Sequence, residues 1–179
     1  RRHVLALGLT CPVPDFITLS GAMAELDRQD AVVLAPHPGF LTVSLDRAQL
    51  TDYREQIDAV EVYNPKHLPW HNRGATRLAA DLDLPPYAHL TRTVGEAWTT
   101  FERDIDSEAD LLAALRDGAD RRVERRRGPR HRLRCTMEFA HLGWENSWKK
   151  LDRVYLSGIE PTHPDHVAYD GAFDDVRVY

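Results

Sequence analysis

Ala31-Val-Val-Leu-Ala35, closed at once by Pro36-His37-Pro38-Gly39, is the stretch on which the fold turns. Five apolar residues in a row are of strand length and show no polar alternation, the pattern of a strand covered on both faces. Two prolines and a glycine then stop it. Such a strand needs helices on both sides of its sheet, and the flanking sequence supplies them. Upstream, Thr18 or Ser20 caps a helix running to about Asp30, with Ala22 and Leu26 on its inner face. Downstream, residues 46 to about 56 read as a second helix. Asp58-Ala-Val-Glu-Val-Tyr63 then alternates as a strand, closed by Asn64-Pro65.

The alternation continues outward in both directions. Residues 3–9 read as a strand, and the proline-bearing stretch 11–15 as a loop. Residues 71 to about 83 carry Ala and Leu at helical spacing. A short strand within 84–89 runs into a loop, and residues 98–102 are a further strand. Ser107 caps a helix over 108–116, with Gly118 just past its end. Strand, helix, strand, helix at this spacing predicts the α/β class, with a largely parallel sheet or barrel.

Composition narrows the function classes. The chain has 179 residues, 42% hydrophobic and 28% charged, enough for a buried core in about one domain. A net charge of -5 argues against a generally basic nucleic-acid coat, though not against a local basic patch. No apolar run exceeds five residues, far short of the roughly 20 that span a bilayer. Two cysteines, Cys11 and Cys135, are too few for a disulfide scaffold and have no metal-ligand spacing. These features predict a cytoplasmic protein with no membrane partner. The chain starts at Arg1 rather than Met and is read as a fragment or a trimmed chain.

Three histidines stand at structural junctions. His3 opens the first strand, His37 follows the apolar strand directly, and His89 follows the short strand near residues 84–86. In parallel α/β folds the carboxyl ends of strands converge on one face, where sites are built. Imidazole is the commonest side-chain ligand for a transition metal, so three converging histidines could hold Zn, Mn or Fe. Taken singly, each is better read as a loop or capping histidine.

Read together, these segments resemble the PHP (polymerase and histidinol phosphatase) family of metal-dependent phosphoesterases. Ala35-Pro-His-Pro-Gly39 resembles a metal motif of that family, and Arg2-His-Val-Leu-Ala-Leu-Gly-Leu9 its GHVLALG-type segment. Asp58-Ala-Val-Glu-Val-Tyr-Asn64 resembles its DAVEVxN strand, and residues 72–85 the helix that follows. Val94-Gly-Glu-Ala-Trp-Thr-Thr-Phe101 is similar to the strand after the last metal motif, and residues 107–118 to the family's Ser-capped helix. The likeness covers about residues 3–118.

The resemblance implies the C-terminal part of a distorted (β/α) PHP-type barrel over residues 1–118, lacking its N-terminal metal motifs. Residues 119–179 would be an Arg/Trp-rich extension. It implies that His3, His37 and His89 are ligands of a divalent transition metal (Mn, Zn or Fe). The implied activity is hydrolysis of a small phosphate ester or nucleotide by a metal-bound water. The departure is at Pro86-Tyr-Ala-His89, where the family reads Ser-Asp-Ala-His. Tyr87 replaces the aspartate ligand, and a phenol of pKa about 10 is a poor substitute. The alternative is a degenerate, non-catalytic PHP domain serving as a binding or structural module.

Other residues are weighed lower. Glu61 and Asn64 leave a strand near the expected site, and Glu61 could orient a histidine. His67 and His71 are i, i+4, but Pro69 between them argues against one continuous helix, and the pair is discounted. His131, His141, His163 and His166 are scattered. Arg121-Arg-Val-Glu-Arg-Arg-Arg-Gly-Pro-Arg-His-Arg-Leu-Arg134 holds eight arginines in fourteen positions. It reads as a charged surface helix or linker. Less favoured are nucleic-acid binding, with Trp144 and Trp148 behind it, and arginines reaching a substrate phosphate.

Overall fold

A computed structural model describes residues 2–13, 18–39, 44–88 and 95–144. His89, Trp148, His163 and His166 lie outside the described residues.

The apolar run forms β2 (Val32–Ala35), every residue of which is buried. Before it come β1 (Leu5–Leu7) and α1 (Leu19–Arg28). Thr18 caps α1, its side chain accepting from the Gly21 N–H at 3.1 Å. After β2 come α2 (Arg47–Asp52), a 3-10 turn at Arg54–Gln56, and β3 (Ala59–Tyr63). Asp46 and Gln49 form a capping box ahead of α2, each side chain accepting from the other's backbone N–H. Then follow α3 (Pro69–Asp81), β4 (Pro86–Ala88), β5 (Ala97–Phe101) and α4 (Glu108–Arg116), capped by Ser107. The described chain finishes with β6 (Arg121–Arg125) and α5 (Pro129–Trp144).

β1 to β4 make one sheet in that order. β2, β3 and β4 run parallel, as βα units require, with β3 and β4 in register at Glu61 and Tyr87. β1 runs antiparallel to β2, so the sheet is mixed rather than parallel throughout. The fold is mixed α/β, and no closed barrel forms among the described residues. A second sheet pairs β5 with β6, antiparallel, from Ala97 opposite Arg125 to Phe101 opposite Arg121. The arginine block is therefore neither one helix nor a linker. Its first five residues are a strand, Gly128 breaks the run at φ +122°, and the rest opens α5.

Both faces of the four-stranded sheet are covered, as the uniform apolarity of β2 demands. Val33, Ala35, Val60 and Val62 pack against Met23 and Leu26 of α1, Leu50 of α2 and Ala79 of α3. On the other face Val32, Leu34, Ala59 and Tyr87 meet Leu115 of α4. Arg121 ties the two sheets. Its Nη2 donates to the backbone carbonyls of Asp58, just before β3, and Leu115, in the last turn of α4. Its guanidinium also lies 5.6 Å from the Phe101 ring centroid.

Candidate functional site

His37 stands two residues beyond β2 in a left-handed backbone conformation, φ +35°. That conformation is costly for a residue with a Cβ and needs support. Glu61, 1% exposed on β3, supplies it: its Oε2 accepts the His37 backbone N–H at 2.5 Å. The other oxygen accepts from the Asn64 side-chain amide at 2.9 Å. Asn64 is fixed in turn by Asn72 of α3, which accepts the Asn64 N–H and donates to its carbonyl, both at 3.0 Å. Buried polar groups thus hold the loop after β2, the loop after β3 and the start of α3 in one frame.

On this frame the imidazoles gather. The His3 and His37 rings are 5.4 Å apart between centroids, in an edge arrangement. His67 comes to 5.9 Å from His37, and His71 to 6.0 Å from His67. Of the three predicted ligands, His3 and His37 come together, and His89 lies outside the described residues. The discounted pair joins the row. Pro69 does prevent one helix through both histidines, because it is the first residue of α3. His67 sits in the turn just before, closed by its N–H on the Asn64 carbonyl at 3.0 Å, and still meets His71. The i, i+4 spacing was the available signal.

Burial, then the neighbouring His37, His71 and Lys66, pushes the His67 imidazole down to about 4. It is therefore neutral at pH 7. Tyr87 is 5% exposed among Val32, Leu34 and Ala59. Burial, and after it the Glu61 carboxylate, raises its phenol further above the ordinary value, so it stays protonated.

Two imidazoles sharing one zinc, each nitrogen at ~2.0–2.1 Å, put their ring centroids roughly 5–6 Å apart. The His3–His37 spacing fits two donors of one borderline divalent ion. No group of three or more His, Cys, Asp and Glu able to hold a metal occurs among the described residues. What the described residues supply is a donor pair, not a complete ligand set.

His131, one of the scattered histidines, also finds a partner. Its Nδ1 lies 2.7 Å from Oε2 of Glu96, and Arg134 donates to the other Glu96 oxygen at 3.0 Å. Nothing in the spacing of residues 96 and 131 announces this contact.

Residues 69–119, from α3 through α4, match the family model PHP_C, described as PHP-associated. The match supports a PHP-domain family, of which this segment is the C-terminal portion. No curated protein matches the chain. Among the described residues no helix is long and apolar enough to cross a membrane.

Proposed function

We propose that the chain is part of a PHP-type, metal-dependent phosphoesterase acting on a small phosphate ester or nucleotide. The observation that carries this reading is the pairing of His3 and His37 at the carboxyl end of β2, in a chain with a PHP-associated segment. His3, His37 and His89 would hold a divalent transition metal (Mn, Zn or Fe). Such an ion, when bound, acidifies water and neutralises phosphoryl charge. The chain's own contribution is positional: Glu61 sets the His37 backbone, and the Asn64–Asn72 pair sets the neighbouring loop. On this reading the sheet β1–β4 belongs to a PHP-type barrel over residues 1–118, and residues 119–179 are an extension. A cytoplasmic setting suits Cys11 and Cys135, both unbridged.

One observation favours a second reading, a PHP domain that binds without catalysing. Tyr87 is buried and protonated where the family places a carboxylate ligand. Elemental analysis of protein purified without chelator, beside His37→Ala, separates the two when combined with phosphate release from p-nitrophenyl phosphate. Bound transition metal that is lost in the variant, with phosphate release lost in parallel, supports the hydrolase. Metal without turnover supports the binding module. Absence of metal, or metal indifferent to His37, overturns the hydrolase.

A further inference from the structure

A cavity of about 500 Å3 opens where β6 and α5 face the loop between β3 and α3. This volume lies in the range of small-molecule sites, roughly 300–1,000 Å3. Its walls are largely apolar, with Leu68, Pro69, Phe139 of α5 and the Tyr63 ring among them. Four arginines also line it. Arg125, Arg126 and Arg127 come from the end of β6 and the turn beyond it, and Arg132 from α5. The chain is acidic overall, so this concentration of guanidinium is local.

The arginines differ in how far the fold has used them. The Arg125 guanidinium lies over the Tyr63 ring, 4.7 Å from its centroid. Arg134, on the same stretch of α5 but outside the lining, is taken by Glu96. Arg126, Arg127 and Arg132 make no ion pair among the described residues, yet all three line the cavity. Guanidinium forks around an apolar hollow match an anion with an organic body, and phosphate geometry suits the fork.

A buried polar chain ends in the same cavity. Glu96 and His131, with side chains 8% and 9% exposed, meet at 2.7 Å through Nδ1. The carboxylate requires a proton on Nδ1, and on the other side of the ring the Tyr63 hydroxyl lies 3.0 Å from Nε2. Arg125, whose guanidinium lies over the ring, and Cys135 also hydrogen-bond the Tyr63 hydroxyl, so it is held in place at the cavity wall.

We propose that this cavity is a binding site for an organic phosphate of nucleoside monophosphate type. Arg126, Arg127 and Arg132 hold its phosphate and the Leu68–Phe139 walls its ring. The site stands apart from metal binding, although His67 lines it and joins it to the histidine row.

The test is calorimetric titration of the whole chain with adenosine 5′-monophosphate in low salt with EDTA, which removes any metal from the question. Adenosine and inorganic phosphate are the separate halves of the probe. The expected result is one site per chain that binds the nucleotide at least tenfold more tightly than either half. The double variant Arg127→Gln/Arg132→Gln should weaken it tenfold or more, while His37→Ala should leave it unchanged. Both positions are exposed, so an unaltered melting temperature keeps that comparison meaningful. No binding, nucleotide binding no tighter than adenosine or phosphate alone, or a double variant that binds as the parent does overturns the proposal. Because the titration is metal-free, its failure leaves the metal analysis untouched, and the reverse holds equally.

Discussion

Glu61 and Glu96 are both carboxylates nearly excluded from solvent, 1% and 6% exposed, and the fold employs them in opposite ways. Glu61 takes a backbone N–H and a side-chain amide, fixing His37 in its left-handed turn and Asn64 beside it. Glu96 takes an imidazole and a guanidinium, both from α5, a helix remote in sequence. The first shapes a loop so that its neighbours face one another. The second docks a helix and keeps a proton on Nδ1 of His131. A buried carboxylate in this protein thus serves either backbone geometry or charge placement, and its partners tell which.

The comparison breaks first at Glu61. Glu61→Ala would strand two buried donors, each worth about 1–3 kcal/mol, for a total loss of roughly 2–6 kcal/mol in urea unfolding. A loss smaller than that at Glu96 would reverse the ranking. Glu96→Gln should cost less, roughly 1–3 kcal/mol, because Arg134 is half exposed and can turn to water. Its pH dependence sharpens the contrast. The hydrogen bond to His131, with Arg134 behind it, holds the Glu96 carboxyl below its ordinary range. Its contribution is therefore present above the unfolded carboxyl pKa and disappears as pH falls. Parent and Glu96→Gln should converge in acid, and a gap that persists there would assign the effect to packing instead.

Glu25, buried but paired with a largely exposed Arg28, supplies the smallest effect. Hydrogen bonds from Arg28 and Gln29 pull its carboxyl from 4.5 down to about 2. The native state is thus favoured by ionised Glu25 above about pH 4.5, and that advantage is lost as pH falls toward 2. Glu25→Gln should lower stability by a constant amount at neutral pH and flatten the acid limb of the stability curve in this window. A changed slope near pH 7 would contradict the assignment.

Legibility in the sequence followed the range of the interactions involved. Residues 31–35, the Asp46 and Ser107 helix starts and the Gly118 stop are local patterns, and the elements stand where those patterns put them. The direction of β1 depends on pairing with β2 well along the chain, Leu5 opposite Leu34 and Leu7 opposite Val32, and residues 3–9 carry no sign of it. β6 holds a single apolar residue, Val123, and becomes a strand because β5 offers a partner edge. The candidate site divides the same way. His3 and His37 were found from their places at strand junctions and from resemblance. His67 is hard to place from sequence because Pro69, which starts α3, looks the same as a proline that breaks a helix. His131 could be paired with Glu96 only in three dimensions.

Arg121 has a consequence for how the molecule comes apart. One guanidinium spans the segment leading into β3, the last turn of α4 and the aromatic ring of Phe101. Each of these loses a contact to the same side chain when it opens, so their amide protons are expected to exchange as a single cooperative unit. A lysine offers one ammonium at a point and no planar face, and would leave that unit divided.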